Sequence, residues 1–249
     1  MSSWDKLSYE NDYFAIAKGE VSDSSVVFLS GANLDVSAAA VPVSIWNVGG
    51  AYPWSAWNGG NKTLYLASTS ASDTRQVLLN GLDNNYNPIT ELVTLAGTTP
   101  VSSALSTYFR LNSAVYLDGA TSNIGNITIK IGSAAGTTVG LIADTEGSTS
   151  MSIYTVPAGY TAYSVYGDFS CNKGEAARLV AKWKFYGSSF ITVYATEIYQ
   201  QFIVAAPPVA GAIPEKTDID NQIHLVTSNG TRVFSNQQLI LVKNDALHN

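Results

Sequence analysis

A strict two-residue alternation between Arg178 and Tyr186 constrains this chain more than any other feature. Arg178, Val180, Lys182, Lys184 and Tyr186 fall on one side of an extended backbone, and Leu179, Ala181, Trp183 and Phe185 fall on the other. A helix would scatter these apolar groups around its circumference, whereas a strand gathers them on one face with the charges out. Asn172-Lys173-Gly174-Glu175 precedes the segment and Gly187-Ser188-Ser189 follows it, and both are turn-sized and turn-like. The pattern predicts a three-stranded meander from Tyr160 to about Val204.

The rest of the chain follows the same rule in shorter pieces. Helical periodicity is nearly absent, and alternating segments are separated by Gly, Asn, Asp and Ser clusters. Candidate strands are Tyr13–Ala17, Val26–Ser30, Leu64–Ser68, Gln76–Asn80, Ile89–Ala96 and Thr107–Asn112. They continue through Ala114–Leu117, Asn126–Gly132, Thr138–Ala143, Met151–Val156 and Tyr160–Cys171. Gln222–Thr227 and Gln237–Val242 read as closing strands, joined through Ser228-Asn229-Gly230-Thr231 with its strong Asn-Gly turn signal. The expected fold is all-β, an antiparallel β-sandwich or jelly roll.

Domain division is open at this level. One reading has an N-terminal arm with the first strands over 1–30, a sandwich subdomain over 31–135 and a second β subdomain over 136–249. Gly132, Gly136 and Gly140 loosen the chain around Ala134–Gly140, which suggests that boundary. A single domain over 1–249 fits the length equally. Ala205-Ala206-Pro207-Pro208-Val209-Ala210-Gly211 reads as a connector, because its prolines cannot continue a central strand.

Composition narrows the function. Charged residues are 13% of the chain, against roughly 25% in an average globular domain. Ser, Thr, Asn and Gly take their place, which suits pleated sheets and surfaces covered by neighbours in an assembly. The net charge is −6 and the 13 Lys and Arg are scattered, so no basic stripe is offered to nucleic acid. The lone Cys171 excludes an internal disulfide and a Cys-rich metal site, and reads as an ordinary strand residue. Met1-Ser2-Ser3-Trp4-Asp5-Lys6 shows no basic region followed by an apolar one, and no membrane partner is expected.

Chemistry-bearing constellations are sparse. His224 and His248 are the only histidines; His224 reads as a hydrogen-bonded strand residue, and no G-x-S-x-G elbow supports a catalytic triad. Asp73, Asp83, Asp118, Asp168 and Glu175 sit at turn positions, where carboxylates cap backbone amides. Glu215-Lys216-Thr217-Asp218-Ile219-Asp220 carries three acids, but its spacing matches no calcium loop and it reads as a solvated turn. Asp83-Asn84-Asn85-Tyr86-Asn87 reads as a turn as well. The glycines form no phosphate loop. No catalytic residue, metal ligand or cofactor is expected, and the chain is not expected to be an enzyme.

The irregular stretch Val36–Gly60 holds Pro42, Gly49-Gly50, Pro53 and Gly59-Gly60 among three tryptophans. A long loop with its own aromatic cluster either packs over the open end of a sandwich or meets a partner. Trp46, Tyr52, Trp54 and Trp57 are therefore the candidate contacts for a protein partner or a glycan.

Several phrases in fixed order carry a resemblance: Gly49-Gly50-Ala51-Tyr52-Pro53, Ser68-Thr69-Ser70-Ala71-Ser72-Asp73-Thr74 and Leu79-Asn80-Gly81-Leu82-Asp83-Asn84-Asn85-Tyr86. They continue with Val93-Thr94-Leu95-Ala96-Gly97-Thr98-Thr99-Pro100-Val101, Tyr154-Thr155-Val156-Pro157-Ala158-Gly159-Tyr160-Thr161-Ala162 and Glu215-Lys216-Thr217-Asp218-Ile219. The set, spanning about Gly31 to Ile240, resembles a family of tailed-phage virion structural proteins from marine phages and cyanophages. At Asp73-Thr74-Arg75-Gln76 this chain has a shorter turn than the Gly-Thr-Gly-Ala-like insert of those relatives. The resemblance implies a virion role, assembled in the host cytoplasm, with the major capsid protein or other virion proteins as partners.

Two functions are expected in consequence. The first is a capsid decoration or cement protein forming a homotrimer, since repeating one interface closes a ring. The second is a receptor-binding head-fibre or tail protein that grips host polysaccharide through the Trp46–Trp57 loop. Head, neck and tail positions stay open.

Overall fold

The computed structural model describes residues 15–117, 119, 122–172, 174–199 and 211–245. The connector residues 205–210, Asp118, Lys173 and His248 lie outside them. Of the expected strand Tyr13–Ala17, the described residues 15–17 are helical instead. Alanine favours that conformation, and Gly19 ends the turn at φ 75°, with its N–H donated to the Ile16 carbonyl at 3.0 Å.

The chain is all-β. Its strands are β1 (Ser24–Val36), β2 (Val43–Ser44), β3 (Leu64–Ser68), β4 (Gln76–Asp83), β5 (Pro88–Thr94), β6 (Val101–Ser102), β7 (Tyr108–Leu117) and β8 (Ile127–Ile131). There follow β9 (Thr137–Ile142), β10 (Ile153–Thr155), β11 (Tyr160–Cys171), β12 (Ala176–Lys184), β13 (Ile191–Tyr199), β14 (Ala212–Ile213), β15 (Asp218–Val226) and β16 (Thr231–Lys243). They form four small antiparallel sheets, a propeller-like set of blade-sized units. Sheet A runs β1-β16-β11-β14, and sheet B runs β10-β15-β12-β13 with β2 also on β15. Sheet C runs β6-β3-β8-β9 and sheet D runs β5-β4-β7.

Alternation places the cores. β3 and β8 each bury every second residue, which sets Leu64, Leu66, Ile127 and Ile129 against Val77, Leu79 and Leu111 of sheet D. Sheets A and B share two further clusters, one around Phe169, Leu179, Ile223 and Val233 and one around Leu29, Ile219, Leu239 and Leu241. Each such side chain contributes about 1.5–3 kcal/mol by leaving water. Asp73 ties the C and D side together at the short turn before β4: its carboxylate accepts the Ile124 and Gly125 amides, each at 2.9 Å.

The expected meander over 160–204 is not formed. β12 and β13 make the hairpin, pairing from Ala176↔Tyr199 to Trp183↔Ile191, but β11 lies in sheet A between β16 and β14. The Asn-Gly turn behaves in the same way, carrying the chain from β15 in sheet B to β16 in sheet A. Both turns are crossovers between sheets, and they sit side by side: the Asn172 side-chain oxygen accepts the Arg232 amide at 2.7 Å, and the Thr227 amide is donated to Ala176 at 3.0 Å. Turn length reverses a chain whether the next strand lies beside the last or faces it. The glycine-loosened stretch 132–140 spans the β8–β9 turn and runs into β9, with Ile131 opposite Thr137.

The charged side of β12 also departs from expectation. Val180 is buried and Lys182 and Lys184 are half-buried, because a polar seam covers that face. Elsewhere one close backbone approach between sheet A and a neighbouring segment is at Gly31, where an added Cβ would stand 2.4 Å from the Ser152 nitrogen and 2.7 Å from the Ile45 oxygen. Neither backbone atom can yield without breaking the Ser152–Ile45 hydrogen bond at 2.8 Å. Gly31→Ala is therefore expected to cost about 3 kcal/mol or more by overpacking, read as a lowered urea midpoint. Gly167→Ala, whose Cβ would meet only ordinary contacts at 3.6 Å, should change the midpoint little.

Candidate functional site

The seam begins with a period-two run on β15. Asp218, Asp220, Gln222 and His224 share one side of the strand, while Ile219, Asn221 and Ile223 face sheet A. Cross-strand pairing sets Lys184 beside Asp218 and Lys182 beside Asp220 on β12, with Thr155 and Ile153 of β10 on the other flank. The segment Glu215–Asp220 is thus not a solvated turn. Its last two acids are buried strand residues, and β15 begins four positions before the expected Gln222.

Arg110 of β7 reaches this face from sheet D. Its Nε donates to Asp218 Oδ1 and its Nη2 to Asp218 Oδ2, both at 2.9 Å, a two-bond fork that matches guanidinium to carboxylate. The side chains are 5% and 3% exposed. Thr155 Oγ1 donates to Asp218 Oδ1 at 2.7 Å and Arg110 Nη1 donates to the Phe109 carbonyl at 2.8 Å, so the pair is further hydrogen-bonded. Lys184 Nζ stands 3.9 Å from Asp218 Oδ2.

Aromatic rings enclose the guanidinium. Its carbon lies 4.1 Å from the Phe109 ring centre, 5.5 Å from Trp54 and 5.9 Å from Tyr86. Tyr86 is held there by the turn Asp83–Asn87, where Asp83 Oδ1 accepts the Asn85 and Asn87 amides at 2.8 and 2.9 Å. That turn is as the sequence predicts, with Tyr86 itself at φ 67°.

The tryptophan loop supplies the other wall. β2 pairs with β15 through Ser44↔Gln222, which lays the loop along the strand. Trp54, at the start of a short 3-10 helix over Trp54–Trp57, donates its Nε1 to Asp220 Oδ2 at 2.9 Å. Gln222 Nε2 donates to the same oxygen at 2.8 Å, and His224 Nε2 lies 3.0 Å from Gln222 Oε1. Burial raises the Asp220 carboxyl above its ordinary value, opposed by the Trp54, Gln222 and Ser44 hydrogen bonds and the Lys182 charge. Burial also lowers the His224 ring, with Lys182 and Arg178 adding repulsion.

Of the four candidate contact residues, Trp46, Tyr52 and Trp57 are core side chains. Tyr52 and Trp54 pack edge to face at 4.8 Å, Trp46 and Tyr52 at 5.0 Å, and Trp57 Nε1 donates to the Tyr52 hydroxyl at 3.2 Å. Trp54 alone is half-buried, and its ring is already engaged by Arg110, Tyr52 and Phe190. The loop is correctly found as an aromatic cluster, but it closes a core instead of presenting rings to solvent. No sequence motif singles out Arg110. The usable signal is a lone cation on a strand, two residues from the buried Tyr108, since a buried charge requires a partner.

Chemically the seam pairs charges and excludes water; among the described residues no group of three or more His, Cys, Asp or Glu is placed to hold a metal ion. No protein-family model matches the chain, and no curated protein matches it. Among solved structures, a chain from the structure of infectious bursal disease virus Gx strain aligns at 9% identity over 90% of this chain and 82% of its own, with a TM-score of 0.13. That score carries no inference of a shared fold.

Two outcomes follow from the seam. Arg110→Ala strands a buried carboxylate and should cost about 3–5 kcal/mol. Arg110→Met with Asp218→Leu should cost less than the two single changes summed, and additive losses in urea denaturation would show the pair to be uncoupled. For Asp220 the raised folded value means that the native state keeps a proton the unfolded chain releases. Its contribution is present below the unfolded value and lost as pH rises through the folded one. Asp220→Asn removes that loss, so the variant should gain stability relative to wild type as pH rises above the ordinary carboxylate range of about 4. A difference that stays constant through that rise contradicts the assignment.

Proposed function

We propose that this chain is a structural virion subunit of a tailed phage, a capsid decoration or cement protein working as a homotrimer against the major capsid protein. The observation that carries this reading is the outer face of sheet A. Ser30 Oγ donates to Asn236 Oδ1 at 3.0 Å, Asn236 Nδ2 to Asp168 Oδ1 at 2.9 Å, and Tyr166 OH to Asp168 Oδ2 at 2.8 Å. This ladder crosses β1, β16 and β11 and stiffens a face that displays Phe28, Leu34 and Phe234 at 66%, 54% and 38% exposure. Exposed apolar groups on a rigid, weakly charged sheet are what a subunit needs to meet neighbours in a lattice.

The sheets themselves we read as two face-to-face β-sandwiches, A against B and C against D, of the kind used in jelly-roll assemblies. The shared apolar clusters support this pairing. Glycan recognition through the Trp46–Trp57 loop is the weaker reading, because three of its four rings are core residues.

Quantitative mass spectrometry of purified particles tests the proposal. Copy numbers comparable with the capsid lattice are expected, and loss of particle binding by folded Leu34→Glu and Phe234→Glu variants. A copy number near that of a tail would overturn it.

A further inference from the structure

We propose that the outer edge of β1 is a docking strand, and that an extended, uncharged peptide segment of a partner protein adds to sheet A there by backbone pairing. Among the described residues β1 is the terminal strand of its sheet, and all its register pairs are with β16. A cleft of about 470 Å³ lies against β1 and reaches under the sheet to Leu241 of β16 and Tyr160 of β11. Ser25, Val26, Val27, Phe28 and Leu29 line one wall without a gap, and Asn80, Ile89, Thr90 and Ser113 of sheet D contribute to the other.

The unbroken run is the decisive detail. Side chains of a strand alternate between faces, so a face would line a cleft with every second residue. Consecutive residues mean that the backbone edge itself, with its N–H and C=O groups, faces the cleft. A second cleft of about 180 Å³ continues along the same edge at Ser30, Gly31 and Ala32. Within the second cleft the Ile45 and Ser152 backbones close on Gly31 and mark where the free stretch ends.

The chemistry selects the occupant. Natural proteins protect free edges with lysine, proline or a bulge. Val26-Val27-Phe28-Leu29 has none of these, the β1 irregularity coming only between Asn33 and Val36. Among the described residues no Asp, Glu, Lys or Arg lines the larger cleft, so a charged segment would lose its hydration without compensation. A row of backbone donors and acceptors is matched by another extended backbone, whose alternate side chains would rest on Ile89, Thr90 and Ser113. A saccharide offers no such row.

The test uses the full chain and a labelled, end-capped octapeptide alternating Thr and Val, followed by fluorescence anisotropy. Saturable binding is expected, weakened about tenfold or more when alternate residues are Glu. Thr90→Trp, at an exposed position of the opposite wall, should fill the cleft and abolish binding while the urea midpoint stays unchanged. Hydrogen exchange should show alternate amides of Val26–Leu29 open in the free protein and protected with the peptide. The proposal is overturned if those amides are already protected in the free protein, by its own chain or by a second copy. It is equally overturned if cellohexaose binds in a Thr90→Trp-sensitive way and the peptide does not.

Discussion

Arg110 of sheet D and Asp218 of sheet B form a buried pair where the C and D side meets the A and B side, and the polar seam is built around that contact. Taking two ions out of water is costly, and attraction alone rarely offsets the loss. Here the geometry is a two-bond fork, Thr155 and the Phe109 carbonyl satisfy further positions, and three rings shield the guanidinium. Such a pair is a weak source of stability and a strong source of registry, because a small displacement leaves both charges buried and unpaired.

β15 is the strand on which this registry acts. Its odd-numbered residues Ile219 and Ile223 build the core with sheet A, while Asp218 and Asp220 hold the seam toward sheet D and the tryptophan loop. The chain leaves sheet B after β2, builds sheets C and D, and returns at β10. The excursion is anchored at its exit by Trp54 on Asp220 and at its return by Thr155 on Asp218. Rings that looked available for a ligand are thus committed to joining the excursion to its origin.

Much of this was legible in the residues. Leu64–Ser68 and Tyr160–Cys171 are strands with the bounds that alternation implies, because period two is a local property. Sheet membership is not local: Asn172–Glu175 looks like a hairpin turn, yet β11 and β12 lie in different sheets, and nothing in four residues records which sheet receives the next strand. In sequence Asp218 and Asp220 read as turn residues because free carboxylates prefer water. Their burial depends on Arg110 and Trp54, which lie 108 and 166 residues away in sequence. The aromatic loop was visible as a cluster, but whether it faced inward was decided by the pairing of β2 with β15.

If the seam makes the two halves one unit, their unfolding must be a single event. The direct measurement is equilibrium urea unfolding of the whole chain followed by tryptophan fluorescence and by far-ultraviolet circular dichroism, with hydrogen exchange resolving the two halves. Trp46 and Trp57 lie in the core shared by sheets C and D, and Trp183 packs against one shared by A and B. The account predicts coincident transitions and common protection for β3, β8, β11 and β16. Two separated transitions, with sheets C and D melting apart from A and B, would contradict it.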